Sequence, residues 1–438
     1  MRVLWTSPHC RPDWLERLGQ ESQGGQTVVM NKLPHALSRV NPDIQIDIFT
    51  RLQESDPLAE RLVKHLDEDP RVRLIRLPCG PIDRYVPKEV LYGVPIVQFC
   101  REIMDFAERD QVHYDLLHGH YADGWEVVTT LKARWSHHPP ALLTTHSLGK
   151  RKREDGLKRG EGTPEELDST YNFPVRVASE ERSLMIADDI LPLSTPEADY
   201  LFDHYEAVPP DDVRVTVIPN GIDPTEFPPA PPGTRDRLRQ QLGVDDEAFL
   251  FIIPSRVDPR KGQGSMLRAL VEAGPDLERH PYRLLLLAWP ETATEYSTQV
   301  KRLIAEHDLE DRVLTHPPVA HDRMPGFFAA ADCVILPSQE YFSIVMLEAM
   351  LLRCPLVASI HGGSRDVIQD GVNGLLVDHN DIEALGEAAL KMVTMDDAAR
   401  KDMGRRARQT ILESYTWDKV AHRLLSIYRE HSLRRARV

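Results

Sequence analysis

The stretch LPSQEYFSIVMLEAM, Leu336–Met350, continues directly from the apolar run Cys333–Leu336. Four consecutive apolar residues are typical of a buried parallel strand, whereas Ile344, Leu347 and Leu351 recur at the spacing of one side of a helix. A strand, a loop and a helix in this order form one β/α unit. Units of this kind build doubly wound α/β sheets.

Two carboxylates lie in this unit, at positions where they can meet a ligand. Glu340 is in the loop after the strand, and Glu348 follows after seven intervening residues. We expect the helix to begin near Phe342 or Ser343, so that its N-terminus faces a phosphate while both carboxylates accept hydrogen bonds from hydroxyl groups. The alternative is one helix-capping glutamate and one surface glutamate.

The same alternation of short apolar runs and helical patterns continues through the whole chain of 438 residues. Six strand-like runs fall in each half, which predicts two doubly wound α/β domains. The turn-rich, proline-rich stretch Val208–Gly243 separates them. We therefore predict one domain over residues 1–212 and a second over 213–416. An amphipathic helix at about 417–438 is expected to pack back on the first domain.

The composition excludes several classes of protein. A net charge of −15 disfavours nonspecific binding to nucleic acid or anionic lipid. No apolar run approaches the roughly 20 residues that span a membrane. The five cysteines are scattered and form no C-x-x-C pair, which favours reduced thiols in a cytoplasmic protein.

Candidate ligand-binding loops in the first half follow predicted strands or begin helices. Gly25 and Gln26, in SQGGQ, precede a helix whose free N–H groups can bind an anion or a hydroxyl, although a flexible turn is the alternative. His120 and Asp123, in LLHGHYADGW, and His146, in LLTTHSLGK, follow neighbouring strands, where ligands of open α/β sheets bind. The H-x-H pair offers no evident third ligand, so no metal site is predicted.

Basic residues in the first half could bind a phosphorylated small molecule. Lys150 belongs to a strongly basic run after His146, and three further candidates are Arg84, Lys88 and Arg176. For most of the run, a solvated loop is the alternative interpretation.

The second half has its own cationic loop, PSRVDPRKG, which places Arg256 and Lys261 just after a predicted strand. Two cations there suit a diphosphate leaving group, whose developing charge must be neutralised. The glycines of a Walker loop are missing. Gly362 and Gly363, in HGGSRDVI, repeat the glycine-to-helix pattern after the next strand.

Taken together, these motifs resemble the retaining glycosyltransferases of family 4, which have the GT-B fold of two Rossmann-like doubly wound domains facing a cleft. The resemblance rests on the segments IPNGID, SRVDPRKG, QEYFSIVMLEAM and HGGSRDVIQDGVNGLLV in the second half. In the first half, SQGGQ, IRLPCGPIDRYVPKE, LLHGHYADG, THSLGKRKRE and VASEERSLMIADDILPLST are most similar to sucrose-phosphate synthases. The family's E-P-F-G is replaced here by Glu340-Tyr341-Phe342-Ser343, which alters the wall around the donor sugar.

The resemblance implies roles for individual residues. The catalytic group would be His146, Arg256, Lys261 and Glu340. Donor contacts would come from Gly25, Arg256, Lys261, Glu340, Tyr341, Phe342, Ser343, Ile344 and Glu348, with Glu348 on the ribose. Acceptor contacts would come from Gly25, Gln26, Arg84, Lys88, His120, Asp123, Lys150 and Arg176.

The resemblance thus implies transfer of glucose, or a close relative, from UDP-glucose to a phosphorylated sugar such as fructose 6-phosphate. Another donor (GDP-mannose or UDP-GlcNAc) or a natural-product or polyol acceptor is one alternative. A sugar-nucleotide epimerase, a phosphorolytic enzyme and a non-catalytic sugar-nucleotide sensor are others. We expect no cofactor besides the nucleotide-sugar substrate, no nucleic acid partner, no integral membrane span, and a monomer or homodimer.

Overall fold

The structure is a computed structural model that describes residues 1–13, 25–53, 63–66, 69–83, 86–209, 211, 214–338 and 340–435. Arg84, a predicted acceptor ligand, lies outside the described residues. The chain divides into two units: Met1–Asn220 together with Trp417–Val438, and Gly221–Thr416.

The first unit contains a sheet with the order β3-β4-β2-β1-β5-β6-β7 among the described residues. Its strands are β1 (Arg2–Thr6), β2 (Gln45–Arg51), β3 (Val63–His65), β4 (Val72–Leu77), β5 (Leu116–His120), β6 (Ala141–Thr144) and β7 (Asp189–Leu191). All neighbouring strands are parallel except β3, which runs antiparallel to β4 and was not predicted from the sequence.

Helices cover both faces of this sheet. They are α1 (Gly25–Val40), α2 (Val94–Arg109), α3 (Tyr121–Arg134), α4 (Gly149–Lys158), α5 (Pro164–Tyr171), α6 (Phe173–Ile186) and α7 (Thr195–His204). Successive side chains of a strand point to opposite faces. Accordingly, Val3 and Trp5 join one buried apolar cluster and Leu4 joins the other.

The second unit contains a parallel sheet with the order β10-β9-β8-β11-β12-β13. Its strands are β8 (Phe249–Pro254), β9 (Tyr282–Leu287), β10 (Val313–His316), β11 (Cys333–Leu336), β12 (Leu356–Ser359) and β13 (Leu375–Val377). Its helices are α8 (Thr234–Leu242), α9 (Gln263–Glu272), α10 (Gly274–Leu277), α11 (Glu295–Glu306), α12 (Met324–Ala330), α13 (Ile344–Leu351), α14 (Ser364–Val367), α15 (Ile382–Thr394) and α16 (Asp397–Ser414). The prediction of two doubly wound α/β domains is confirmed.

The last helix, α17 (Trp417–Arg435), belongs to the first unit. The hydroxyl group of Tyr428 accepts a hydrogen bond from Trp5 Nε1 at 3.0 Å and lies 2.6 Å from His118 Nδ1. This buried polar contact joins the C-terminal helix to β1 and β5, beneath the loops that carry the predicted site residues.

All five cysteines are free and buried. Among the described helices, none is long and apolar enough to cross a membrane.

Candidate active site

In the second unit, the loop after β8 lies against the loop after β11. Gly262 has a φ of +73°, and a Cβ atom there would lie 1.9 Å from the carbonyl oxygen of Pro337. Only glycine allows this approach. It positions Lys261, whose ammonium group forms an ion pair with Glu340. Arg256 is exposed in the same loop.

The loop after β12 also lies against the segment that carries Glu340. Glu340 forms an isolated parallel bridge with Gly362, and a Cβ atom on Gly362 would lie 1.7 Å from the Glu340 carbonyl oxygen. The N–H of Gly363 donates to the carbonyl of Tyr341 at 2.9 Å. The two glycines after β12 therefore fix the backbone of the segment that carries Glu340.

Helix α13 begins where the sequence predicted, within one residue. Ser343 is its N-cap, and the Ser343 hydroxyl accepts a hydrogen bond from the Met346 N–H at 3.3 Å. A small pocket in front of this helix is lined in part by polar side chains from the loops after β8 and β11, namely Ser255, Lys261, Ser338, Glu340 and Ser343. A cation and a helix N-terminus thus lie beside a carboxylate, and the first two favour an anion.

Glu348 is buried, with a relative exposure of 4%. Its Oε1 atom lies 2.7 Å from His321 Nε2, and this hydrogen bond raises the pKa of His321 above its ordinary value. His321 is a site residue that the sequence analysis missed, although it follows the end of β10 as the other candidates follow their strands. A buried carboxylate with an exposed partner can exchange that partner for ligand hydroxyls.

In the first unit, Asp123 is fully buried at the start of α3. Its carboxylate lies 2.7 Å from His9 Nδ1 and accepts hydrogen bonds from the His9 N–H at 3.0 Å and the Ser7 hydroxyl at 3.3 Å. Burial alone would raise the pKa of Asp123, but the charge and hydrogen bonds of His9 outweigh it and lower that pKa. Gln26 donates to the Ser7 hydroxyl at 2.8 Å, so this predicted ligand belongs to the same cluster. Gly25 is exposed at the first position of α1.

His120 and His146 are adjacent: His120 Nδ1 lies 3.0 Å from His146 Nε2. Burial lowers the pKa of His146 to about 3 and lowers that of His120 as well, so both imidazoles are neutral at physiological pH. His146 has a φ of +68°, a strained backbone conformation for a non-glycine residue. His118 has both ring nitrogens within hydrogen-bond distance of protein hydroxyls, of Tyr428 and Thr144, which is typical of a structural histidine.

Two of the predicted phosphate ligands converge on one aromatic ring. Lys88 Nζ and Arg176 Cζ lie 5.0 Å and 4.5 Å from the ring centroid of Tyr121. Arg176 is 3% exposed and donates to the Tyr121 hydroxyl at 2.6 Å and to Glu180 at 2.9 Å. The ring of His9 contacts the same tyrosine, with centroids 4.8 Å apart. The structure therefore joins the predicted cations to the Asp123 cluster through Tyr121.

Two residues of the basic run after His146, Lys150 and Arg153, have protein partners. Lys150 Nζ donates to Glu181 at 2.5 Å and to the carbonyl of His204 at 2.6 Å. In the same helix, Arg153 pairs with Asp168 at 2.6 Å. The alternative interpretation of the run as a solvated loop is wrong for the backbone, because Gly149–Lys158 is helix α4. A ligand role for Lys150 remains a prediction.

Comparison with known proteins agrees with the fold. The family model described as Glycosyltransferase Family 4 matches residues 23–226, and that of Glycosyl transferases group 1 matches residues 234–410. A D-inositol 3-phosphate glycosyltransferase of Xylanimonas cellulosilytica is 30% identical, over 99% of this chain and 98% of that protein. The mannosylfructose-phosphate synthase of Agrobacterium fabrum is 28% identical, over 94% and 87%.

Among solved structures, the sucrose-phosphate synthase of Thermosynechococcus elongatus superposes with a TM-score of 0.77 at 26% identity and covers 98% of both chains. Two Rossmann-like domains with these loops define an enzyme of the glycosyltransferase class with the GT-B fold. Within that class, the chain belongs to glycosyltransferase family 4.

Proposed function

We propose that this enzyme transfers a hexosyl group, with retention of configuration, from a nucleotide-diphosphate sugar to a phosphorylated sugar. We take UDP-glucose as the donor and fructose 6-phosphate as the acceptor. The observation that carries the proposal is the convergence of Lys88 and Arg176 on Tyr121, beside Asp123. Lys88 next to a carboxylate suits an acceptor that has both a phosphate and hydroxyl groups. Arg176, which already donates to Glu180 and Tyr121, would mainly hold the tyrosine in place.

On the donor side, Lys261 and Arg256 would neutralise the diphosphate. The ion pair of Lys261 with Glu340 exchanges for a pair with phosphate, and Glu340 is then available to accept hydrogen bonds from the sugar hydroxyls. Glu348 would accept from the ribose hydroxyls in place of His321. Each residue thus gains a ligand contact without being left as an unpaired buried charge.

In the proposed reaction, the bond between the sugar's anomeric carbon and the β-phosphate oxygen breaks, and its electron pair stays on the phosphate. The acceptor hydroxyl oxygen bonds to the anomeric carbon from the face that the phosphate leaves, which retains the configuration. Its proton passes to a phosphate oxygen, so no separate general base is required. The cations stabilise the charge that develops on the leaving diphosphate.

The names of the relatives support a phosphorylated acceptor. One is named for inositol 3-phosphate, one for mannosylfructose phosphate and one for sucrose phosphate. The phosphorylated compounds in these names differ, so inositol 3-phosphate is the second acceptor to test, and GDP-mannose and UDP-GlcNAc are the alternative donors.

The test of the acceptor proposal is Lys88→Ala. Loss of one charged phosphate contact should raise the KM for fructose 6-phosphate about tenfold or more, while kcat/KM with unphosphorylated fructose stays unchanged. Arg153→Ala is the matched control, because Arg153 is a cation of the same unit that pairs with Asp168. Equal KM values for the phosphorylated acceptor in wild type and Lys88→Ala would contradict the proposal.

A further inference from the structure

Two histidines and an aspartate that the proposed transfer does not use lie together in the second unit. His361 follows β12, while Asp378 and His379 follow β13, and these two strands are parallel neighbours in the sheet. One ligand atom from each of the three residues lies within 4.8 Å of the other two. Adjacent parallel strands thus bring together three side chains of the types that bind transition metals.

The side chains of His361 and Asp378 face each other. His361 Nε2 lies 2.9 Å from Asp378 Oδ1, and this nitrogen is buried but makes no aligned hydrogen bond within the described part of the chain. The contact therefore places an imidazole nitrogen next to a carboxylate oxygen, which are two of the ligand types that transition metals bind.

Hydrogen bonds from neighbouring residues orient the cluster. His379 Nδ1 lies 2.9 Å from the Ser359 hydroxyl, which also accepts from the His361 N–H at 3.1 Å. The N–H of Asn380 donates to Asp378 Oδ1 at 2.9 Å. Metal-binding histidines and carboxylates usually have such outer partners, which fix the ring orientation and the tautomer.

We propose that His361, Asp378 and His379 bind a divalent transition metal ion of the zinc type. Tetrahedral bonds of about 2.0 to 2.2 Å place ligand atoms roughly 3.4 Å apart, and the three ligand atoms here lie within 4.8 Å of one another. Three protein ligands leave a fourth tetrahedral position for water. This site departs from the sequence prediction of no metal, which considered the scattered cysteines and the H-x-H pair in the first unit.

The site is independent of the proposed transfer reaction, since none of its three ligands is assigned to donor or acceptor. It is nevertheless close in the chain to the donor loop, because His361 directly precedes Gly362, which bridges to Glu340. A bound ion would link the loops after β12 and β13 at the residue that precedes Gly362.

The test is metal binding by the full chain after chelator treatment. Zn²⁺ titration by calorimetry and the visible absorption of bound Co²⁺ should both report one equivalent per chain. His361→Ala and His379→Ala should each lose the Co²⁺ spectrum and weaken Zn²⁺ binding at least tenfold, and Ser359→Ala should weaken it about tenfold. Thermal unfolding of the metal-free proteins verifies that the variants fold.

A second histidine pair provides the control. The rings of His113 and His137 lie 4.1 Å apart in the first unit, without a third ligand among the described residues. His137→Ala should bind Zn²⁺ as the wild type does. No stoichiometric binding by the wild type, equal binding in His361→Ala and His379→Ala, or loss in His137→Ala alone would overturn the proposal.

Discussion

Lys261 and Glu340 form an ion pair although they lie 79 positions apart in the chain. The pair joins the loops that follow β8 and β11, which are adjacent parallel strands. Each side chain holds the other in position. In the proposed reaction, the ammonium group binds the diphosphate and the carboxylate binds the sugar hydroxyls. The pair thus connects the fold of the second unit to the proposed chemistry.

Lys261→Ala should lower kcat about 100-fold or more, because the lysine would stabilise charge that develops as the diphosphate leaves. The KM for the acceptor should change little. Arg260→Ala is the matched control, since Arg260 pairs with Asp258 of the same turn at 3.0 Å. Steady-state release of the nucleoside diphosphate measures both variants, and wild-type turnover in Lys261→Ala would rule out this role.

Gly362→Ala should destabilise the protein and weaken donor binding, because the added Cβ atom would lie 1.7 Å from the Glu340 carbonyl oxygen. Gly371 is the control position for backbone strain. Its φ is also positive, at +74°, but no atom lies within 4 Å of its hypothetical Cβ. Gly371→Ala should cost about 1 kcal/mol and leave donor binding intact. Urea unfolding measures the stability of both variants, and nucleotide titration measures their donor binding. Equal losses of stability and of donor binding in Gly362→Ala and Gly371→Ala would contradict the account.

His321→Ala should destabilise the protein in a pH-dependent way. The hydrogen bond to Glu348 raises the pKa of His321 above its ordinary value of 6.5, so the folded state binds the proton more tightly than the unfolded state. The stabilisation is complete below about pH 6.5 and is lost as the pH rises through the raised pKa. Because His321 is largely exposed, we expect less than about 1 kcal/mol. The prediction would be contradicted if the difference in unfolding free energy between wild type and His321→Ala grew as the pH rose.

His118 and His146 should remain neutral at pH 5, because burial lowers the pKa of each to about 3. The unfolded state then binds more protons than the folded state between about pH 6.5 and 3. Stability should therefore fall as the pH drops through that window, with a slope of roughly 1.4 kcal/mol per pH unit for each histidine. An NMR titration of the imidazole signals measures this directly, and midpoints near 6.5 would refute it.

Much of the fold was predictable because local patterns agree with the tertiary structure. The apolar run Cys333–Leu336 is strand β11 as predicted, and α13 begins one residue after the predicted Ser343. Buried parallel strands are apolar on both faces, so they stand out in a sequence. The three-residue strand β3 has no such signal, and it was missed.

The site was predictable at the level of loops but not of contacts. Position after a strand end was enough to select Asp123 and Lys261. The same rule does not predict which side chains these residues contact. The contacts of His9 with Asp123 and of His321 with Glu348 were both missed, because each joins segments that are far apart in the chain. Lys150 was predicted as a ligand, but its pairing with Glu181 could not be predicted, because that ion pair forms only where α4 and α6 pack together.

The most direct test of the account is release of UDP from UDP-glucose with and without fructose 6-phosphate. We predict release that depends on fructose 6-phosphate and is far slower with unphosphorylated fructose. The disaccharide phosphate formed should retain the anomeric configuration of the donor. Release that is independent of any acceptor, or equal with fructose and fructose 6-phosphate, would contradict the claim that this enzyme transfers a hexose to a phosphorylated sugar.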